Sequence, residues 1–212
     1  MQKSTIRLLP INFLLVFLLV SCGVNPIRKL EKVPVAKATF EAPYFSDPKI
    51  DYVYKTHISV YGNDLSGIFV VKKINSDWHR VVFTTEFGNK LLDFEISETD
   101  FKINSIVEEL DRKILINTLK EDFRLLLKKK FAIQNQFATV SDAIYESEDG
   151  KYYDYLFVSK SGRQLHKIEH TSKRKEKFSI HFQSENNIFA EHISIEHQNI
   201  KLKIELNYLK NE

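Results

Sequence analysis

From position 51 onward apolar and polar residues alternate with a period of two. In 80–87 (RVVFTTEF), Val81, Phe83, Thr85 and Phe87 fall on one face and Arg80, Thr84 and Glu86 on the other. In 90–97 (KLLDFEIS), Leu92, Phe94 and Ile96 share a face opposite Asp93 and Glu95. The stretch 177–182 (KFSIHF) aligns Phe178, Ile180 and Phe182, and 200–208 (IKLKIELNY) aligns Ile200, Leu202, Ile204, Leu206 and Tyr208. Such alternation predicts strands with one buried and one wet face, the habit of antiparallel sheets. Turn-forming clusters at Gly62-Asn63-Asp64, Asn75-Ser76-Asp77, Gly88-Asn89, Asp149-Gly150, Ser161-Gly162 and Glu185-Asn186-Asn187 keep the connections short. Together they predict a meander of hairpins in a curved antiparallel sheet.

One segment departs from this period. In 105–130 (SIVEELDRKILINTLKEDFRLLLKKK) the apolar residues Leu110, Ile114, Leu119, Phe123, Leu126 and Leu127 recur at helical steps. Ser105 and Glu108 have capping-box spacing, which predicts a helix start there. Glu108 and Glu109 suit the positive end of its dipole and Lys128 to Lys130 the negative end. Asn117-Thr118 is a place where two helices could meet. About four strands would precede this segment and six follow, so the fold class is mainly β (α+β), about ten strands with a central helical segment. The stripe has two uses: covering the concave face of the sheet, or docking a partner. The KKK run reads as a solvated helix end, with a weak contact to lipid headgroups as the alternative.

The N-terminus changes the picture. Lys3 and Arg7 precede an apolar run over 8–20 (LLPINFLLVFLLV), and the only cysteine, Cys22, follows at once. A cationic start, a short apolar core and a small residue at its end form the layout of a secretory signal. Thirteen residues reach about 20 Å as a helix, too short to span a bilayer core. Leu19-Val20-Ser21-Cys22 resembles the bacterial lipobox. That resemblance implies cleavage between Ser21 and Cys22, a diacylglyceryl group on the Cys22 thiol, and acylation of the new amine. Two or three chains hold a protein at a bilayer where one does so only reversibly.

Without 1–21 the formal charge falls from +3 to +1, because Lys3 and Arg7 leave and no acid does. A near-neutral, mixed surface gives no case for nucleic acid. With 16 Phe and 9 Tyr but 6 Gly and 5 Pro, the composition favours regular structure. Pro26, Pro34 and Pro43 fall in 23–47, which lacks a period and reads as a tether, its second half free to lie along the fold. The expected organisation is a signal peptide over 1–21, a lipidated cysteine and tether over 22–50, and one domain over 51–212.

Residues 166–170 (HKIEH) match the H-x-x-E-H pattern of inverted zinc proteases. That chemistry needs a helix, on which the two histidines converge on the metal. Here the period is two, and on a strand His166 and His170 would stand about 13 Å apart with Glu169 on the other side. They are read as structural or surface histidines, and no metal is expected. No G-x-S-x-G elbow, P-loop or G-x-G-x-x-G is present, and nothing recommends an enzyme.

A lipobox followed by antiparallel strands around a helical segment resembles the LolA/LolB lipoprotein-localisation superfamily. The stretch 64–96 (DLSGIFVVKKINSDWHRVVFTTEFGNKLLDFEI) is similar to early strands of such a barrel, with a small-Gly-apolar strand, an arginine-led strand and a Phe-Gly-Asn turn. The strand-helix-strand order extends the likeness over about 50–208. The resemblance implies a half-open β-barrel around a helical plug, with acyl chains of lipoproteins held between them in transit to the outer membrane. Leu65 is a candidate for the exposed apolar residue such proteins use in transfer, or else the first buried residue of its strand.

Independently of family, a sheet lined by Phe83, Phe87, Leu92, Phe94 and Phe178, facing Leu110, Ile114, Phe123 and Leu126, offers walls without fixed charge. Such walls bind by area, at about 25 cal/mol per Å² removed from water. A filled core and a lined cavity share the same periodicity. Two functions follow: a carrier that accepts lipidated proteins or another amphiphile, or a non-enzymatic scaffold lipoprotein holding a partner of an envelope assembly. The expected partners are the membrane, through the anchor, and acylated lipoproteins or other lipids. No cofactor beyond the covalent lipid on Cys22 is expected. The expected state is a monomer on the outer membrane of a Gram-negative bacterium, facing the periplasm.

Overall fold

Hairpin geometry sets the architecture. The computed structural model describes residues 27, 30–173 and 175–210, so the expected lipobox and the expected cleavage site at Ser21-Cys22 lie outside the described residues. Five strands follow one another as a meander: β3 (Asp51–Val60), β4 (Asn63–Lys73), β5 (His79–Thr84), β6 (Lys90–Ile96) and β7 (Phe101–Ile106). A helix, α1 (Lys113–Leu126), comes next. A second meander then runs through β8 (Lys130–Ala138), β9 (Asp142–Asp149), β10 (Tyr152–Ser159), β11 (Leu165–Ser172), β12 (Glu176–Gln183), β13 (His192–His197) and β14 (Leu202–Tyr208). The last strand returns to pair with β3, Ile204 opposite Ile58, and so joins the two meanders into one antiparallel sheet. Two short strands, β1 (Lys32–Val33) and β2 (Thr39–Glu41), lie along the remaining edge of β8. The sheet curves without closing: β7 is the other end of the strand order.

Local chemistry explains the tight turns. The β3–β4 connection is Tyr61-Gly62, with φ of 49° and 87°, the pair of positive angles that matches the twist of a two-residue hairpin. Gly67 serves a different need. A Cβ there would lie 1.9 Å from the Thr84 carbonyl oxygen, where the β5–β6 register shifts after Phe83. Only a residue without a side chain lets β4 and β5 approach so closely.

Several expectations are corrected. Among the described residues there are fourteen strands rather than about ten. Ser105 does not start a helix: it lies in β7 opposite Asp93, and pairing with β6 outcompetes the local capping signal. The helix begins at Lys113, with no side-chain cap on Arg112, and ends before the lysine run, so Lys130 opens β8. Asn117-Thr118 does not split it: one helix runs unbroken from Lys113 to Leu126, and within it the Thr118 hydroxyl donates to the Ile114 carbonyl at 2.9 Å. Phe87 is 93% exposed: β5 stops at Thr84, and Thr85 to Asn89 form a turn in which Gly88 N–H donates to Thr85 O at 3.0 Å. Once the strand ends, its alternation no longer decides direction.

The helix buries Leu115, Leu119, Phe123 and Leu126, spaced four, four and three residues apart, with Leu125 and Asp122 beside them. Ile114 lies about 100° from that face and is 57% exposed, which corrects its placement in the buried stripe. Phe123 stacks on Phe69 of β4 at 5.0 Å and meets Phe94 of β6 at 5.4 Å. Asp122 reaches His197 of β13 at 3.0 Å, so α1 touches strands of both meanders. From the segment before β3, Phe40, Ala42, Tyr44 and Phe45 are buried in the same core, and Tyr44 stacks on Phe182 at 4.8 Å.

Candidate functional site

The expected lining residues divide into three groups. Phe83, Leu92, Phe94, Phe123, Leu126 and Phe178 belong to the closed core, each at 5% exposure or less. Phe87 stands alone at the tip of the β5–β6 turn. The remaining three, Leu65, Leu110 and Ile114, are brought together.

Their meeting place follows from strand lengths. β4 pairs with β3 up to Asn63 opposite Val60, but with β5 only from Ile68. The end of the β3–β4 hairpin therefore overhangs its neighbour by several residues. Facing that overhang are the turn before α1, which carries Leu110, and the first turn of the helix. Between them lies a groove of about 750 Å³. Val60, Leu65, Leu110, Ile114 and Leu115 supply its apolar wall, Tyr61 overhangs it half-exposed, and Asn63, Asp64, Glu109 and Arg112 form a polar rim. Leu65 is half-buried against the core. The volume lies in the range of sites for small molecules, roughly 300–1,000 Å³, and an apolar wall with a charged rim suits an amphiphile. Val60, Tyr61 and Leu115 were not singled out from the sequence. Their signal is the Tyr-Gly hairpin turn, whose overhang depends on where β5 ends.

Polar chemistry is concentrated elsewhere. On β6 the carboxylate of Asp93, 1% exposed, accepts from Arg80 Nε at 3.0 Å and Nη2 at 2.7 Å, Lys90 Nζ at 2.7 Å and Asn104 Nδ2 at 3.2 Å. The Arg80 guanidinium first, then Lys90 and Asn104, hold its carboxyl well below the ordinary range against the opposing pull of burial. Two buried histidine–carboxylate pairs flank Phe178. His170 Nδ1 lies 2.7 Å from Asp154 Oδ1, and His197 Nε2 lies 3.0 Å from Asp122 Oδ2. The two imidazole rings sit 5.0 and 5.1 Å from the Phe178 ring. Burial pushes the Asp122 carboxyl up, and its Oδ1 has no hydrogen-bond partner among the described residues.

The strand expected over HKIEH is present as part of β11. His166 pairs with Asp142 at 2.9 Å and His170 with Asp154, so the two histidines serve different carboxylates, while Glu169 is ion-paired with Lys167. Among the described residues no group of three or more His, Cys, Asp or Glu side chains could hold a metal ion.

No family model matches the chain, and no curated protein matches it in sequence. Solved structures do match. A LolA superfamily protein from Nitrosomonas europaea superposes with a TM-score of 0.50 at 12% identity, over 80% of this chain and 88% of the other. A DUF1329 family protein from Desulfovibrio piger gives 0.39 at 10% identity, over 76% and 84%. A domain from Vibrio parahaemolyticus assigned to outer membrane lipoprotein sorting gives 0.42 at 8% identity, over 76% and 83%. With its large antiparallel sheet, curved and unclosed, and a helix packed on it, the chain has the fold of the LolA superfamily.

Proposed function

We propose that this protein is a membrane-anchored lipoprotein that binds acyl chains of lipoproteins, or another amphiphile, and helps deliver them to the outer membrane. The observation that carries the reading is the groove between the β3–β4 hairpin and the start of α1, with Leu65, Leu110 and Ile114 in its wall. It is apolar where a chain would lie and charged only at its rim, and it occurs on a fold shared with a LolA superfamily protein. In this reading Cys22 carries the covalent lipid, the body faces the periplasm and works as a monomer, and no catalytic step is involved.

The binding contribution is one of area. An acyl chain covering about 100 Å² of this wall would gain roughly 2.5 kcal/mol, so contributions from more than one chain have to add for capture. The test uses the chain with Cys22→Ser, which carries no lipid of its own. A diacylated peptide should bind with about one-to-one stoichiometry, and the same peptide without acyl chains should not compete. Failure of a folded sample to bind the acylated peptide overturns the carrier reading.

A second reading, the non-enzymatic scaffold, draws on a specific observation: seven of the ten expected lining residues are buried in the core, Leu110 among them at 4% exposure although it also borders the groove. It predicts no acyl-dependent binding and a protein partner recoverable by cross-linking in the envelope.

A further inference from the structure

A second apolar cluster lies on the opposite face of the sheet. The register shift between Ile133 and Asn135 turns Phe137 away from the face that holds Phe131 and Ile133. There Phe137, Ile144 and Tyr155 are buried, with Ile27, Leu30, Tyr153 and Phe157 packed against them. Ile27 and Leu30 belong to the segment that follows the proposed anchor, so the chain meets the body here.

The direction of that segment is set by β1. Lys32 lies opposite Phe137 and Val33 opposite Gln136, antiparallel, so residues before Lys32 run toward the β8–β9 turn. At that turn Val140 is 100% exposed. The β10–β11 turn lies beside it: Lys160 N–H donates to Ser141 O at 2.8 Å, and Lys160 Nζ to Thr139 O at 2.6 Å. Arg163, at φ 52°, is exposed in the same turn. The acid at this end, Asp142, is already engaged by Ser141 Oγ at 2.7 Å and His166 Nε2 at 2.9 Å.

We infer that this end of the sheet, the turns over 139–141 and 160–163, is the surface held against a bilayer, with Val140 entering the headgroup layer and Lys160 and Arg163 meeting anionic headgroups. The inference rests on the proposed lipid at Cys22. Five residue-to-residue steps lead from Cys22 to the docked Ile27, a reach of at most about 18 Å. A lipid at Cys22 therefore keeps the cluster within that distance of the membrane, whatever path the intervening residues take. One valine and a few cations bind a bilayer weakly by themselves. The anchor supplies residence, and the turns supply orientation.

The test uses the full lipidated chain in vesicles of phosphatidylethanolamine with a minority of phosphatidylglycerol. Cys22 is the only native cysteine, so once it is a thioether an introduced cysteine is the sole thiol. Val140→Cys and, as a second exposed tip, Phe87→Cys are labelled with an environment-sensitive fluorophore. Both side chains are at least nine-tenths exposed, so neither change threatens the fold. The expected result is a blue shift and loss of most aqueous quenching for the label at 140 only, reduced by Arg163→Glu. If the protein floats with the vesicles and both labels remain water-like, the proposed surface is wrong while the anchor stands. If the protein does not float at all, the anchor reading fails and the surface falls with it.

Discussion

Phe123 separates a lined cavity from a filled core. Its ring is 1% exposed, with Phe69 at 5.0 Å on one side and Phe94 at 5.4 Å on another, on the face of α1 that also buries Leu119 and Leu126. Phe123→Ala removes a ring with no solvent to replace it. Truncations of this kind cost about 3–5 kcal/mol, of which each lost ring pair accounts for about 0.5–1.5 kcal/mol. For a domain of this size each kcal/mol lowers Tm by roughly 2–4 °C, so a fall of about 6–20 °C is expected. Urea unfolding of the Cys22→Ser chain, followed by far-UV circular dichroism and by Trp78 fluorescence, reads the loss as a lower midpoint at unchanged slope. Ile114→Ala is the internal control. At 57% exposure on the same helix it should change stability by no more than about 0.5 kcal/mol. A loss below about 1 kcal/mol for Phe123→Ala would show that the ring lines a solvent-filled space, and the closed-core account would be wrong.

Other expectations follow from the same geometry. Leu65→Ala combined with Ile114→Ala should weaken binding of the diacylated peptide by about tenfold, from roughly 50 Å² of lost apolar contact, with Tm nearly unchanged; unaltered affinity in a calorimetric titration would place the chain elsewhere. The depressed carboxyl of Asp93 adds stability that is present above the ordinary carboxylate range, near 4, and is lost as pH falls below it. Asp93→Asn should therefore lower stability at pH 7 by about 2 kcal/mol and flatten its decline in acid, whereas an acid limb identical to that of the parent chain would refute the assignment. Gly67→Ala should cost about 1–3 kcal/mol, because its Cβ would meet the Thr84 carbonyl; an unchanged unfolding midpoint would mean that β4 and β5 part without penalty.

What could be read from the residues alone is the part that depends on near neighbours. Alternation in 80–87, 90–97, 177–182 and 200–208 located strands whose observed parts within those bounds are 80–84, 90–96, 177–182 and 202–208, because a pleat sends successive side chains to opposite faces wherever the strand sits. The Gly62 and Gly150 turns were visible for the same local reason. A helix between two sets of strands was visible from its stripe, and the resemblance in fold followed from that order.

Tertiary structure decided what local signals could not. Ser105 carries a sound capping signal, yet β6 offers a strand partner, and long-range pairing wins. Phe87 and Phe83 share a parity, but one sits in a turn and the other in the core, because strand length is set by the neighbouring strand. Thr39–Glu41 becomes β2 only because β8 has an edge to cover. The groove has the same origin. Leu65 is far in sequence from Leu110 and Ile114 and meets them because β4 outruns β5 beneath the first turn of α1. Residue types determined which segments could bury a face, while strand register and length, which involve partners tens of residues away, determined which of those faces closed and which stayed open.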